Sequence, residues 1–304
     1  MSAPRIGIAP DSWGVWNALD PKQPDSEQYL NEVHEAGYTW TELGPYGYLG
    51  LDPEAVAERI AQHHLKVSGG TVFTGLHKSI DAVDEYWEAV APVAKMVQAQ
   101  GAEHLIVIPE MWTREDNGVG PVTSPRTFTE EEWHHLTKNH NELGRRLLEE
   151  FGLKQQFHSH AETPIGSYRE VSRLLNETDG AYLNLCLDTG HFAYYLGDNV
   201  KLMNAYPERI GYLHLKQVHP DILANALKND LPFVEAVAQG VMTEPGFEGV
   251  PKFAPIIEKA LEINPEIFAI IEQDMYGCSI DMPFPIAQRT REHILATTRA
   301  ARVK

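Results

Sequence analysis

Two cysteines, Cys186 and Cys278, are all that the 304 residues hold. Cys186 sits inside an apolar run, so a reduced thiol is expected there rather than a disulfide framework. Positive charge is scarce as well: 25 Lys and Arg stand against 43 Asp and Glu, a formal net charge of −18. Phosphate backbones are bound by clustered positive charge, so this balance excludes a nucleic-acid surface and speaks against anionic membranes. No apolar run approaches the roughly 20 residues needed to cross a bilayer. The opening Met1-Ser-Ala-Pro-Arg5 passes almost at once into Ile6-Gly-Ile-Ala-Pro10, so a cytoplasmic protein without a signal peptide is expected. Linker-like and low-complexity stretches are missing too, and one domain over 1–304 is the expectation. A glycine-rich phosphate turn is also absent: the first apolar run leads into Asp11-Ser-Trp-Gly-Val-Trp16, which does not have the dinucleotide-binding pattern.

What the chain does have is alternation. Short apolar runs at 6–10, 38–43, 65–73, 103–109, 153–160, 181–188, 209–216 and 267–274 read as strands. Segments with helical spacing at 25–35, 55–64, 83–100, 129–150, 167–176, 199–206 and 253–263 separate them, and a closing helix runs over about 285–300. Gly37, Gly101 and Gly152 stand where three of these helices must stop. Thr129 with Glu132 forms a capping box. Strands that alternate with helices pair in parallel, and eight such units close into a (β/α)8 TIM barrel. Two connections are too long for plain turns, about 110–128 and 219–251, the second with its own helical piece over 222–239. Both leave the ends of strands that form a barrel's catalytic face, so they are expected to shape or cover the site.

The polar residues at those strand ends are Glu42, Glu110, His158 and His160, Asp188 with His191, His214 with Lys216, and Glu272. The stretch Leu185-Cys-Leu-Asp-Thr-Gly-His191 is the clearest: an apolar strand ends in a carboxylate, and a loop with turn chemistry carries an imidazole just beyond. His158, Asp188, His214 and Glu272 come from the fifth to eighth strands and would stand side by side. Charges that end apolar runs need partners, and a mixed imidazole and carboxylate set suits Mn, Co or Zn better than Mg. One divalent metal is therefore expected, Mn or Co in preference to Zn. Lys216 serves either in a salt bridge or as an acid–base group. Glu42 and Glu110 are either substrate contacts or partners for cations. Trp13, Trp16, Tyr46, Tyr48 and Trp112 crowd the same rim, and either pack on loops or wall a carbohydrate-like ring.

These segments together resemble the xylose isomerase-like TIM barrels, and among them the inosose dehydratases and sugar phosphate isomerase/epimerases. The resemblance rests on Gly7-Ile-Ala-Pro10 with Ser12-Trp13, on Phe157-His-Ser-His160, and on Leu187-Asp-Thr-Gly-His191 with His214-Leu-Lys216. It implies a divalent metal held by Glu, Asp, His and Glu from the later strands. Asp188, His214 and Glu272 match the last three, while the first falls on His158, which leaves the fourth ligand between His158, His160 and Glu162. The resemblance further implies that His191 contacts substrate; Trp13, Glu42 and Glu110 are expected as substrate contacts from their places at the rim. The implied substrate is a sugar or cyclitol ketone, deprotonated next to its carbonyl, with His158, His160, Lys216 or Glu272 moving the proton. Dehydration, isomerisation and epimerisation share that first step. The competing expectation is a non-catalytic barrel subunit that binds a sugar-like ligand and offers 219–251 to a partner; a homo-oligomer is compatible with either.

Overall fold

Gly37, Gly101 and Gly152 do stop their helices with left-handed backbone, at φ of 85°, 68° and 70°, and each releases the chain into the next strand. The computed structural model describes residues 4–112 and 127–302. Residues 113–126, which include most of the expected 110–128 insertion, lie outside them. The strands are β1 (Arg5–Ile8), β2 (Trp40–Glu42), β3 (Lys66–Thr74), β4 (His104–Pro109), β5 (Lys154–His158), β6 (Asn184–Asp188) and β7 (Ile210–Leu215), then a hairpin pair, β8 (Gln217–Val218) and β9 (Met242–Thr243), and finally β10 (Phe268–Ile271). All but the hairpin pair close into a parallel barrel in the order β1-β10-β7-β6-β5-β4-β3-β2, with β1 paired to both β2 and β10. The (β/α)8 expectation holds.

The helices are α1 (Ser26–Glu35), α2 (Pro53–Gln62), α3 (Ala82–Ala99), α4 (Glu130–Phe151), α5 (Tyr168–Glu177), α6 (Thr189–Tyr194), α7 (Asn199–Ala205), α8 (Pro220–Lys228), α9 (Phe233–Ala238), α10 (Phe253–Ile263) and α11 (Pro283–Ala301). Thr129 and Glu132 close the capping box at the start of α4. The largest apolar core lies between strands and helices, while a smaller one of Ala9, Ile106, Ile108, Cys186, Tyr212, Phe268 and Ile270 fills the barrel interior. No helix among the described residues is long and apolar enough to cross a membrane.

Two expectations need correction. The single helical piece over 222–239 is two helices, because Asp230 takes a left-handed φ of 52° and Pro232 caps the second. The pair shares a third core with the strand ends, in which Phe233, Val237 and Met242 pack on Ala161, Ala193 and Tyr194. The turn expected at Thr189-Gly-His191 is the first turn of α6, whose N-cap is Asp188 itself.

Glycine inside a helix costs about 1 kcal/mol relative to alanine, yet Gly144 sits in the middle of α4. The reason is a close approach: a Cβ there would lie 1.9 Å from the carbonyl oxygen of Tyr182. Gly144→Ala is expected to lower stability by about 1–3 kcal/mol through overpacking, against its better helix propensity. A urea midpoint equal to or above wild type would show that the Tyr182 segment yields freely.

His140 is a core residue and His104 a half-buried one, and burial pushes both down to about 4. In the unfolded chain each takes a proton near pH 6.5. Below that pH the unfolded state binds more protons than the native one, so stability is full above pH 6.5 and falls as the pH drops towards 4. Between pH 7 and pH 5 each histidine should cost about 2 kcal/mol. Urea unfolding at both pH values checks this, with a smaller acid loss in His140→Gln; an equal loss would remove His140 from the account.

Candidate metal centre and catalytic cavity

The period of two in a strand builds the site in storeys. Gln156 and His158, Cys186 and Asp188, Tyr212 and His214, and Ile270 and Glu272 are paired in this way along four successive strands. The lower members lie inside the barrel and the upper members at its mouth. Register places Asp188 directly opposite His214, and the amide of Glu272 donates to the carbonyl of Leu215 at 3.3 Å. One ligand atom from each of His158, Asp188, His214 and Glu272 lies within 4.8 Å of the others, and all four residues are buried. Neither His160 nor Glu162 is part of this cluster.

The donors are arranged for a cation. His214 Nε2 donates to Glu42 Oε1 at 2.8 Å. Its Nδ1 faces Glu272 Oε2 at 3.0 Å and Asp188 Oδ2 at 3.8 Å. Burial opposes a charge on the ring, but Cys186, Glu272 and Glu42 outweigh it and hold His214 well above the ordinary histidine range, so a cation bound there would take the place of a proton. Among buried polar atoms, His158 Nδ1, Asp188 Oδ2 and His214 Nδ1 have no hydrogen-bond partner, which is costly unless something else satisfies them. A divalent ion fits this set. Glu42, expected as a substrate contact or a partner for a cation, lines the cavity, grips His214 and accepts from Tyr212 Oη at 2.9 Å. A carboxylate that fixes the far nitrogen of a ligand histidine is a recurrent support of metal sites.

One storey further out stand His160, His191, Lys216 and Asp274, all buried. Lys216 Nζ lies 2.8 Å from Asp274 Oδ2, 3.1 Å from Glu272 Oε2 and 3.5 Å from Asp188 Oδ2. Burial opposes its charge, but Asp188, Asp274 and Glu272 outweigh burial and hold the ammonium well above the ordinary lysine range. In Glu272, burial is likewise outweighed, by His214 and Lys216, and its carboxyl is well below the usual range. His160 donates from Nδ1 to the carbonyl of Ala161 at 2.8 Å, which leaves a lone pair on Nε2. Burial, with His158 and Lys216 nearby, pushes His160 down to about 3, so it is a neutral base. His191 packs on it with ring centroids 3.8 Å apart. Gly190 serves this storey by its size rather than its backbone angle: a Cβ there would lie 2.6 Å from Cγ of Lys216.

These groups open into a cavity of about 670 Å³ that Asp11, Glu42, His158, His160, His214, Lys216, Glu272 and Asp274 line on its polar side. Trp16, Tyr46, Phe73, Ile108, Met111 and Phe233 give it apolar walls. Trp16 stacks on Tyr276 with ring centroids 4.9 Å apart and faces Phe233 at 6.3 Å. Three expected substrate contacts are not among the lining residues: Trp13, Glu110 and His191, which is fully buried behind His160. Trp13 is core, edge-on to Tyr29, with its indole N–H on Glu32 Oε2 at 2.6 Å. Glu110 lies outside the lining and is taken up by Lys78 and Tyr86. Sequence reasoning missed Asp11, Phe233 and Asp274. For Asp274 the signal was present, since it follows Glu272 at the same spacing by which Lys216 follows His214.

A family model described as xylose isomerase-like TIM barrel matches residues 30–296. The chain belongs to that family. Within it, the chain is similar to an inosose dehydratase of Geobacillus kaustophilus (strain HTA426), 30% identical over 299 residues that cover 95% of this chain and 93% of the relative. It is also similar to the rhizopine catabolism protein MocC of Rhizobium meliloti, 31% identical over 248 residues that cover 82% and 74%. Among solved barrels of the family's fold, the IolI protein with a binding zinc atom aligns with a TM-score of 0.69 over 97% of this chain and 99% of its own, at 14% identity.

Proposed function

We propose that this chain is a divalent-metal-dependent lyase that removes water from a polyhydroxylated cyclic ketone of the inosose type, with Mn or Co as its ion. The observation that carries the reading is the two-storey mouth: an orphaned imidazole–carboxylate cluster directly beneath a separate base and a separate acid. The names of the inosose dehydratases, similar over nearly the whole chain, support the substrate class.

His158, Asp188, His214 and Glu272 would hold the ion, and Glu42 would keep His214 turned towards it. A divalent ion there would supply Lewis-acid charge to the carbonyl group of the substrate. His160 Nε2 takes the proton from the carbon next to the carbonyl. The electrons of that C–H bond become the new C=C bond, and the β-C–O bond breaks. Lys216 gives its proton to the departing hydroxyl, which leaves as water. Elimination takes a proton from carbon and delivers one to oxygen, so two proton-handling groups suit it better than a single shuttling base. If the hydroxyl stays and the proton returns to the neighbouring carbon, the same groups run an isomerisation.

The lining also selects against phosphorylated substrates. Among the described residues Lys216 is the only Lys or Arg in the cavity wall, and carboxylates already surround it. The flat walls of Trp16 and Phe233 suit the face of a six-membered ring. Protein purified without chelator should carry about one transition-metal ion per chain by inductively coupled plasma mass spectrometry. With Mn or Co it should convert a keto-inositol to an enone-type product that absorbs in the ultraviolet. An ion-loaded protein with no turnover on keto-inositols or on free ketoses would overturn the reading.

A further inference from the structure

We infer that Asp274 is a positioning residue, the shared acceptor that holds Lys216 and His191 side by side at the mouth of the cavity. The inference rests on the proposed reaction for its kinetic consequence and on geometry alone for the contact itself.

The amide of Ala161 donates to His191 Nδ1 at 3.1 Å, so the ring proton sits on Nε2. Lys216 Nζ lies 3.0 Å from that same Nε2. An ammonium and an imidazole N–H are both donors, and two donors at that separation repel unless one acceptor serves both. Asp274 Oδ2 is 2.8 Å from Lys216 Nζ and 3.6 Å from His191 Nε2. Among the described residues it is the only carboxylate within 4.0 Å of both groups.

The other two carboxylates near Lys216 Nζ, Asp188 and Glu272, belong to the metal cluster. Whatever negative charge they give to an ion is not available to a neighbouring ammonium. Asp274 is outside that cluster and is left as the lysine's own counter-charge. Its placement follows from the strand period, because Asp274 stands to Glu272 as Lys216 stands to His214. The lower pair touches at 3.0 Å and the upper pair at 2.8 Å.

Asp274→Asn keeps the shape and removes the charge. Loaded with Mn, it is expected to keep its ion and a KM within about threefold of wild type, and to lose about 10²-fold in kcat, the scale of a misplaced catalytic group. Asp274→Glu should recover part of that loss. A second readout is independent of turnover. The buried Lys216 ammonium should give a slowly exchanging ¹⁵Nζ–¹H resonance, assigned by its absence in Lys216→Met, and Asp274→Asn should abolish it. Asp274→Asn with kcat within threefold of wild type and an unchanged Nζ resonance overturns the inference. A wild-type protein inactive on keto-inositols, with the resonance present and lost in Asp274→Asn, sinks the proposed reaction and leaves the positioning role standing.

Discussion

Asp188→Ala is expected to lose bound metal and turnover together, with kcat down about 10³-fold or more. The two oxygens of Asp188 have separate duties. Oδ1 accepts from the amides of Gly190 at 2.9 Å and His191 at 2.6 Å, and so starts α6. Oδ2 faces the cluster and has no hydrogen-bond partner. Burial opposes its charge, but Lys216 and His158 more than offset burial and hold the carboxyl below the ordinary range, so the oxygen meets an ion already ionised. Alanine removes both duties, and loss of the cap alone costs about 1 kcal/mol. Asparagine separates them, since its carbonyl oxygen can still cap α6 while the charge is gone. Both variants should come from the column without stoichiometric metal, and the alanine variant should melt lower than the asparagine variant by the loss of the cap. Either variant with a full ion and turnover within tenfold of wild type would dismantle the proposed centre.

The sequence made the barrel legible because its strands and helices each carry a local signal. Runs such as Leu105 to Ile108 are apolar without interruption, as a strand buried on both faces must be. Gly152 and the Thr129 capping box mark helix ends through their own backbone chemistry. The cluster of His158, Asp188, His214 and Glu272 was legible for a related reason: polar residues that end apolar runs on four consecutive strands must meet at one end of a barrel. What stayed hidden depends on tertiary neighbours. Trp13 and Trp16 are three residues apart on one turn, and only packing decides that Trp13 enters the core beside Tyr29 while Trp16 faces the cavity. Phe233 comes from an insertion some 15 residues beyond β8, and no spacing rule carries it to His160, where its ring centroid lies at 5.2 Å. Gly190 was read as a turn residue, yet what requires a glycine is the aliphatic stem of Lys216, which follows β7.

Lys216→Met should separate catalysis from metal binding, and its signature is opposite to that of Asp188→Ala. The side chain is 2% exposed and lies among Asp188, Glu272 and Asp274. Methionine fills nearly the same volume but leaves those carboxylates facing one another, and breaking a buried ion pair from one side costs about 3–5 kcal/mol. A divalent ion that binds the native cluster returns part of that stability by mass action. The variant should therefore melt well below wild type without added metal and gain more than wild type when Mn is supplied. It should still hold about one ion per chain, because Lys216 is not a ligand. Turnover should nevertheless fall about 10²–10⁴-fold, the usual contribution of a general acid, since the departing hydroxyl no longer receives its proton. Calorimetry with and without Mn, beside kcat on a keto-inositol, reads both effects. A Lys216→Met protein with near-normal turnover would assign the lysine to the salt-bridge network alone, and the acid of the elimination would have to be sought in Asp11, the other carboxyl at the cavity that burial, together with Glu272 and Asp274, holds well above its ordinary range.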